Sequence, residues 1–207
     1  MKLIAAIIGV LLISESAHAA AETWRYSITR NGDQIGSHAI EINRAGPETS
    51  VSISTDLTVK VLFITAYHFQ HAASERWVNG RLVAFNSTTD NNGTLHKLSA
   101  AMKSSGLEMD ADGKAVHLDQ NIMPGSLWNA ELLKRTTMLD TQEGEVLPLS
   151  VVDAGVEELM IRNQPVKARH YTLKSKWSQE VWYDDRQRLV QAKFVGSDGS
   201  VIMYKAI

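Results

Sequence analysis

The stretch Val51-Ser52-Ile53-Ser54-Thr55-Asp56-Leu57-Thr58-Val59-Lys60-Val61-Leu62-Phe63 decides the fold. Val51, Ile53, Leu57, Val59, Val61 and Phe63 share one parity, while Ser52, Ser54, Asp56, Thr58 and Lys60 share the other. Strand side chains project alternately to opposite faces, so this is one long strand with an apolar face to bury and a wet face. A single strongly curved sheet covers its concave side incompletely unless a helix or a ligand completes it.

The same period runs outward in both directions. Upstream, Trp24, Tyr26 and Ile28 alternate with Arg25, Ser27 and Thr29, and Asn31-Gly32-Asp33 turns the chain toward Ile40 and Ile42. Gly46-Pro47 breaks the pattern before Val51. Downstream, Tyr67, Phe69, Ala73 and Trp77 lead to Asn79-Gly80, the signal of a two-residue hairpin turn. Further strands are predicted over 82–89, 96–102, 107–109 and 115–118, separated by polar turns rich in Gly and Asp. Met123-Pro124-Gly125-Ser126 interrupts them. Ser126 is placed to cap a short helix bearing Leu127, Trp128, Leu132 and Leu133. Strands resume over 145–152, 156–161, 166–173, 179–183, 189–195 and 201–204. The reading is all-β: a strongly curved antiparallel sheet, half-barrel or open barrel, with one short helix packed against it.

Lys2, the apolar run Leu3–Ile13 and the small residues Ala17-His18-Ala19 have the pattern of a secretory leader, residues 1–19, cut after Ala19. Residues 20–207 then form a single domain, exported to the periplasm, with no apolar stretch long enough for a membrane-spanning helix. With 21 Lys+Arg against 23 Asp+Glu, dispersed along the chain, there is no basic field for nucleic acid. The absence of cysteine excludes disulfides, thiolate metal sites, a cysteine nucleophile and lipidation on cysteine. The fold must rest on core burial.

No stretch has a catalytic or cofactor signature. His68 and His71 are three apart, but a strand sends them to opposite faces and precludes a shared metal. His38, His71 and His170 each fall in line with apolar neighbours, where a lone imidazole is usually a hydrogen-bonded inward residue; convergence of all three on one cavity would reverse that reading. Asp110-Ala111-Asp112-Gly113 opens like a calcium loop without its closing glutamate, and reads as a hairpin turn. Asp184 and Asp185 are adjacent carboxylates that point apart, again at a turn. No Gly-x-Ser-x-Gly elbow accompanies the serines. Trp24, Trp77, Trp128, Trp177 and Trp182 either line a cavity or fill the core.

From Met123 onward the chain resembles exported bacterial proteins that contain the domain of unknown function 6134. The resemblance rests on Pro124-Gly125-Ser126-Leu127-Trp128-Asn129, Leu139-Asp140-Thr141-Gln142-Glu143-Gly144, Val166-Lys167-Ala168-Arg169-His170-Tyr171, Val181-Trp182-Tyr183-Asp184 and Asp198-Gly199-Ser200-Val201-Ile202-Met203-Tyr204. Tyr26, Gly32 and Gly36 fit the same pattern, and His170 departs from it. The layout is also similar to that of domain of unknown function 3108, whose members look like curved sheets with one helix. Both resemblances imply bacterial export and a half-barrel fold, and neither implies an activity.

The expected function is a non-catalytic binding or carrier module for a hydrophobic small molecule or lipid, without metal or other cofactor. Its expected ligand set is Val59, Phe63, Tyr67, Phe69, Trp77 and Trp128. The alternative is a structural or assembly protein that binds another cell-envelope protein through an apolar patch or a free sheet edge. An enzyme ranks behind both, as does a small outer-membrane barrel, whose strands would need more length than most of these offer.

Overall fold

The computed structural model describes residues 20–196 and 198–207; the expected leader lies outside them. Antiparallel strands follow one another through tight turns: β1 (Ala20–Arg30), β2 (Asp33–Ala45), β3 (Glu48–Val61), β4 (Ile64–Val78), β5 (Arg81–Asn91), β6 (Thr94–Lys103), β7 (Gly106–Ala111) and β8 (Lys114–Leu118). After a long crossing segment come β11 (Ser150–Ile161), β12 (Gln164–Lys174), β13 (Ser178–Tyr183), β14 (Leu189–Val195) and β15 (Val201–Ala206). These thirteen form one sheet in the order β11-β12-β13-β14-β15-β1-β2-β3-β4-β5-β6-β7-β8. β15 pairs with β1 and joins the two runs, and β8 and β11 remain as edges, so the curved sheet does not close.

Turn chemistry explains much of the register. Asn31-Gly32, Asn79-Gly80, Asn92-Gly93 and Asp112-Gly113 all have both residues at positive φ, which the right-handed strand twist requires of a two-residue hairpin and which Asn, Asp and Gly tolerate best.

The segment 119–149 connects the two edges by crossing the concave side. It contains a two-stranded sheet of β9 (Thr137–Leu139) and β10 (Val146–Pro148) and a single 3-10 helix, Ala130–Lys134. The expected helix is therefore shorter than the sequence suggests. Asn129, not Ser126, caps it by accepting a hydrogen bond from the Glu131 amide, and Leu127 and Trp128 precede it. Leu127 sits at φ 63°, outside helical geometry. The predicted strand over 145–152 is divided at Leu149 between β10 and β11, and 156–161 continues β11 through a bulge between Asp153 and Gly155.

The main core lies between this segment and the sheet. Ile40, Ile42, Val51, Phe85, Leu98 and Leu107 from the sheet meet Leu127, Trp128, Leu132, Met138 and Leu139 from the segment. A smaller cluster of Ile161, Ala168, Trp182 and Val190 packs elsewhere on the sheet.

Candidate functional site

The concave face has a filled end and an open end, separated by a row of polar side chains. At the filled end Glu75, on β4 between Ala73 and Trp77, is completely enclosed. Its Oε2 accepts hydrogen bonds from the indole N–H groups of Trp77 and Trp128, both at 2.8 Å. The two indoles stand edge to face with centroids 5.8 Å apart. Burial pushes the Glu75 carboxyl up, while the Ser126 hydroxyl and the two indoles act the other way. The glutamate thus ties β4 to the crossing segment, and Tyr183 ties the other half of the sheet to it by donating to the Leu127 carbonyl at 2.8 Å.

One step along the strands lies the polar row. Cross-strand pairing sets His38 beside Thr55, Thr55 beside His71, and His71 beside Thr89. His38 Nδ1 meets Thr55 Oγ1 at 2.8 Å and His71 Nδ1 meets Thr89 Oγ1 at 2.9 Å. Burial lowers both imidazoles to about 4, and for His38 the neighbouring His71 adds to the effect, so both are neutral at pH 7. The crossing segment reaches the same region: Ser87 Oγ donates to the Thr141 carbonyl at 2.8 Å.

Beyond the row the face is empty. A cavity of about 860 Å³ is bounded by Ile53, Leu57, Val59, Tyr67 and Phe69 on one side and by Leu189, Phe194, Ile202 and Tyr204 on the other. Gly125 to Leu127 and Met138 form its inner limit, with His38, Thr55 and His71 on its floor. Asp140 also borders it; burial raises its carboxyl, opposed by the hydrogen bond that it accepts from the Gln142 amide. Near the mouth, Arg30 pairs with Asp198 at 2.6 Å, and Lys176 bridges Glu143 and Glu145 at 2.9 Å each. Asp140, Glu143 and Glu145 converge closely enough to hold a cation, but Lys176 already engages two of the three.

Of the residues singled out from the sequence, Val59, Tyr67 and Phe69 lie together on the cavity wall. Phe63 does not. The alternation ends in a turn at Leu62-Phe63, and Phe63 is 99% exposed at its tip. Trp77 belongs to the filled end, and Trp128, buried as its helical-looking spacing suggests, borders instead a separate polar hollow of about 360 Å³ with Trp24, Arg44 and Arg188. Trp177 lines the cavity. Two of the three inward-reading histidines, His38 and His71, do converge there. His170 stacks on Trp182 at 4.3 Å between Glu157 and Glu180, on the opposite face of the sheet. Glu75 escaped the sequence reading. Its signal was a carboxylate in parity with Phe69, Ala73 and Trp77.

Fold and site together define an open, curved all-β protein whose concave face is half filled by its own chain and half vacant. The family model for the domain of unknown function DUF6134 matches residues 26–207, and the chain belongs to that family. Among solved structures it is similar to a β-barrel-like protein of domain of unknown function DUF1849 from Brucella abortus, at 10% identity and a TM-score of 0.64 over 89% of this chain and 94% of that one. That likeness is one of fold. No curated protein matches the chain.

Proposed function

We propose that the protein is an exported, non-catalytic carrier that shelters an apolar ligand in the open half of its concave face. The supporting observation is the cavity of about 860 Å³, within the roughly 300–1,000 Å³ range of small-molecule sites, with aliphatic and aromatic walls and a floor of neutral imidazoles and threonines. A ligand with a long apolar body and an uncharged polar end matches that division: the body along Leu57, Val59 and Phe69, the polar end near His38 and His71. The leader-like residues 1–19 support export to the periplasm. Extraction of protein purified from the periplasm, followed by mass spectrometry, tests the proposal. A stoichiometric apolar compound is expected; protein that is periplasmic yet yields none, and takes up none when offered lipids, would overturn it.

A second reading, a module that binds another envelope protein, draws on edge strand β11. There Val152, Val156 and Met160 are about half exposed. Asp153, Glu157 and Glu158 on the same strand oppose indiscriminate strand addition, so such a partner would need a matching basic edge.

A further inference from the structure

The β3–β4 hairpin outruns the sheet. The last β2–β3 pair is Gly36 with Leu57, and the last β4–β5 pair is Phe69 with Asn91. From Thr58 to Tyr67, β3 and β4 pair only with each other, a two-stranded arm projecting on the order of 10 Å at the rise of a strand. Its root is on the cavity wall through Val59, Ala66 and Tyr67. Its apex is Leu62-Phe63-Ile64, exposed by 86, 99 and 72%.

Leu62 and Phe63 occupy φ 49° and 68°, the conformation that Asn-Gly or Asp-Gly adopts at the other hairpin turns described above. Large apolar side chains are poor choices there for folding, and nothing in the structure buries them. The cavity mouth lies at the same end of the sheet, where the turns at Asn31-Gly32 and Asn92-Gly93 also fall. Two more exposed or half-exposed apolar residues line it, Trp177 before β13 and Val195 at the end of β14, and Leu95 is exposed beside the β5–β6 turn at the same end of the sheet. Lys60 is the only charged residue in the arm.

We infer that this arm seats the protein on a lipid surface, apex in the acyl region and Lys60 at anionic headgroups, with the cavity mouth held against the membrane. A bilayer suits the shape. Three side chains on a narrow apex present on the order of 500 Å², whereas a stable protein interface needs about 800 Å² per partner on a flatter surface. A fluid interface accepts a wedge, and amphipathic segments seat roughly 5–10 Å deep in it. The function follows from the cavity reading on which this rests: an apolar cargo passes between membrane and cavity without crossing water.

The test is co-flotation of the purified protein, as processed by a bacterial host, with vesicles of phosphatidylethanolamine and phosphatidylglycerol at 3:1, against vesicles of phosphatidylcholine alone. The wild type is expected to float with the anionic vesicles, and the double variant Leu62→Asn/Phe63→Gly to lose at least tenfold in affinity while melting no lower. Lys60→Glu should weaken binding to the anionic vesicles only. Equal flotation of wild type and double variant, or no flotation of the wild type, would overturn the inference, as would a wild-type dimer in sedimentation that the double variant abolishes. A fluorescent long-chain fatty alcohol titrated into both proteins in solution separates the two claims: equal uptake keeps the cavity reading whatever the vesicles show, and no uptake by either refutes it alone.

Discussion

The two ends of the concave face are built from the same strands and differ in what meets them. Along β3, Val51 is covered by the crossing segment, Ile53 sits at the boundary, and Leu57 and Val59 face a cavity. Along β4, Trp77 and Glu75 are locked to Trp128, and Phe69 and Tyr67 are not. The difference lies in the connection rather than the sheet. A chain that must travel from edge strand β8 to edge strand β11 spans the concave side once, and its residues 119–149 fill only one end. Stability and vacancy are thereby separated: the filled end can hold the fold while the other stays open.

That separation predicts that damage to the filled end unfolds the protein and damage to the open end does not. Trp128→Ala should have the largest effect, a loss of about 3–5 kcal/mol read from the denaturation midpoint, from an excavated core and a lost bond to Glu75. Glu75→Leu should cost somewhat less, about 2–4 kcal/mol, because two indole N–H groups are left without an acceptor in a buried site. Glu75→Gln keeps an acceptor and removes a carboxyl that burial already disfavours ionising, so it should be near neutral at pH 7. If Gln were as damaging as Leu, the glutamate would be acting as a charge.

The polar row gives the next effect. His38 and His71 have pKa values near 4 in the folded protein against an ordinary 6.5. The unfolded chain therefore binds more protons between those values, and the stability present above pH 6.5 falls as pH drops toward 4. A loss on the order of 3 kcal/mol for each imidazole is expected across that window. Glu75 works the other way: its carboxyl is held up in the fold, so its unfavourable contribution shrinks as pH falls through the ordinary carboxylate range. Urea midpoints from pH 4 to 7.5 for wild type and His38→Gln/His71→Gln measure the row; a flat wild-type profile would mean that the imidazoles are solvated. The smallest effect belongs to the arm. Leu62→Asn/Phe63→Gly should gain about 1 kcal/mol by relieving two left-handed apolar residues.

Much of this was legible from residue order. Period-two alternation places β1 to β6 because each strand has one wet face, and the Asn-Gly turns after β1, β4 and β5 supply residues that accept positive φ. The arm was hidden because Leu62-Phe63 continues the apolar pattern and lacks any turn residue, so Phe63 reads as wall and stands as tip. β9 escaped because three residues are too few to show a period, and β10 reads as the start of the strand that continues into β11. Gly155 reads as a break in β11 and is a bulge. Parity puts Val59, Tyr67 and Phe69 on the concave face, whereas which end of that face is vacant depends on the path of 119–149, a long-range fact that no local pattern encodes.

The vacant half is tested most directly by titrating a fluorescent long-chain fatty alcohol, apolar with an uncharged polar end, into wild type, Val59→Trp and Trp77→Phe. An indole at Val59 would occupy the cavity, so binding should fall at least tenfold with an unchanged melting temperature. At Trp77, in the filled end, the melting temperature should drop and binding should persist. Saturable binding that Val59→Trp leaves intact, or no binding by the wild type, would contradict the account.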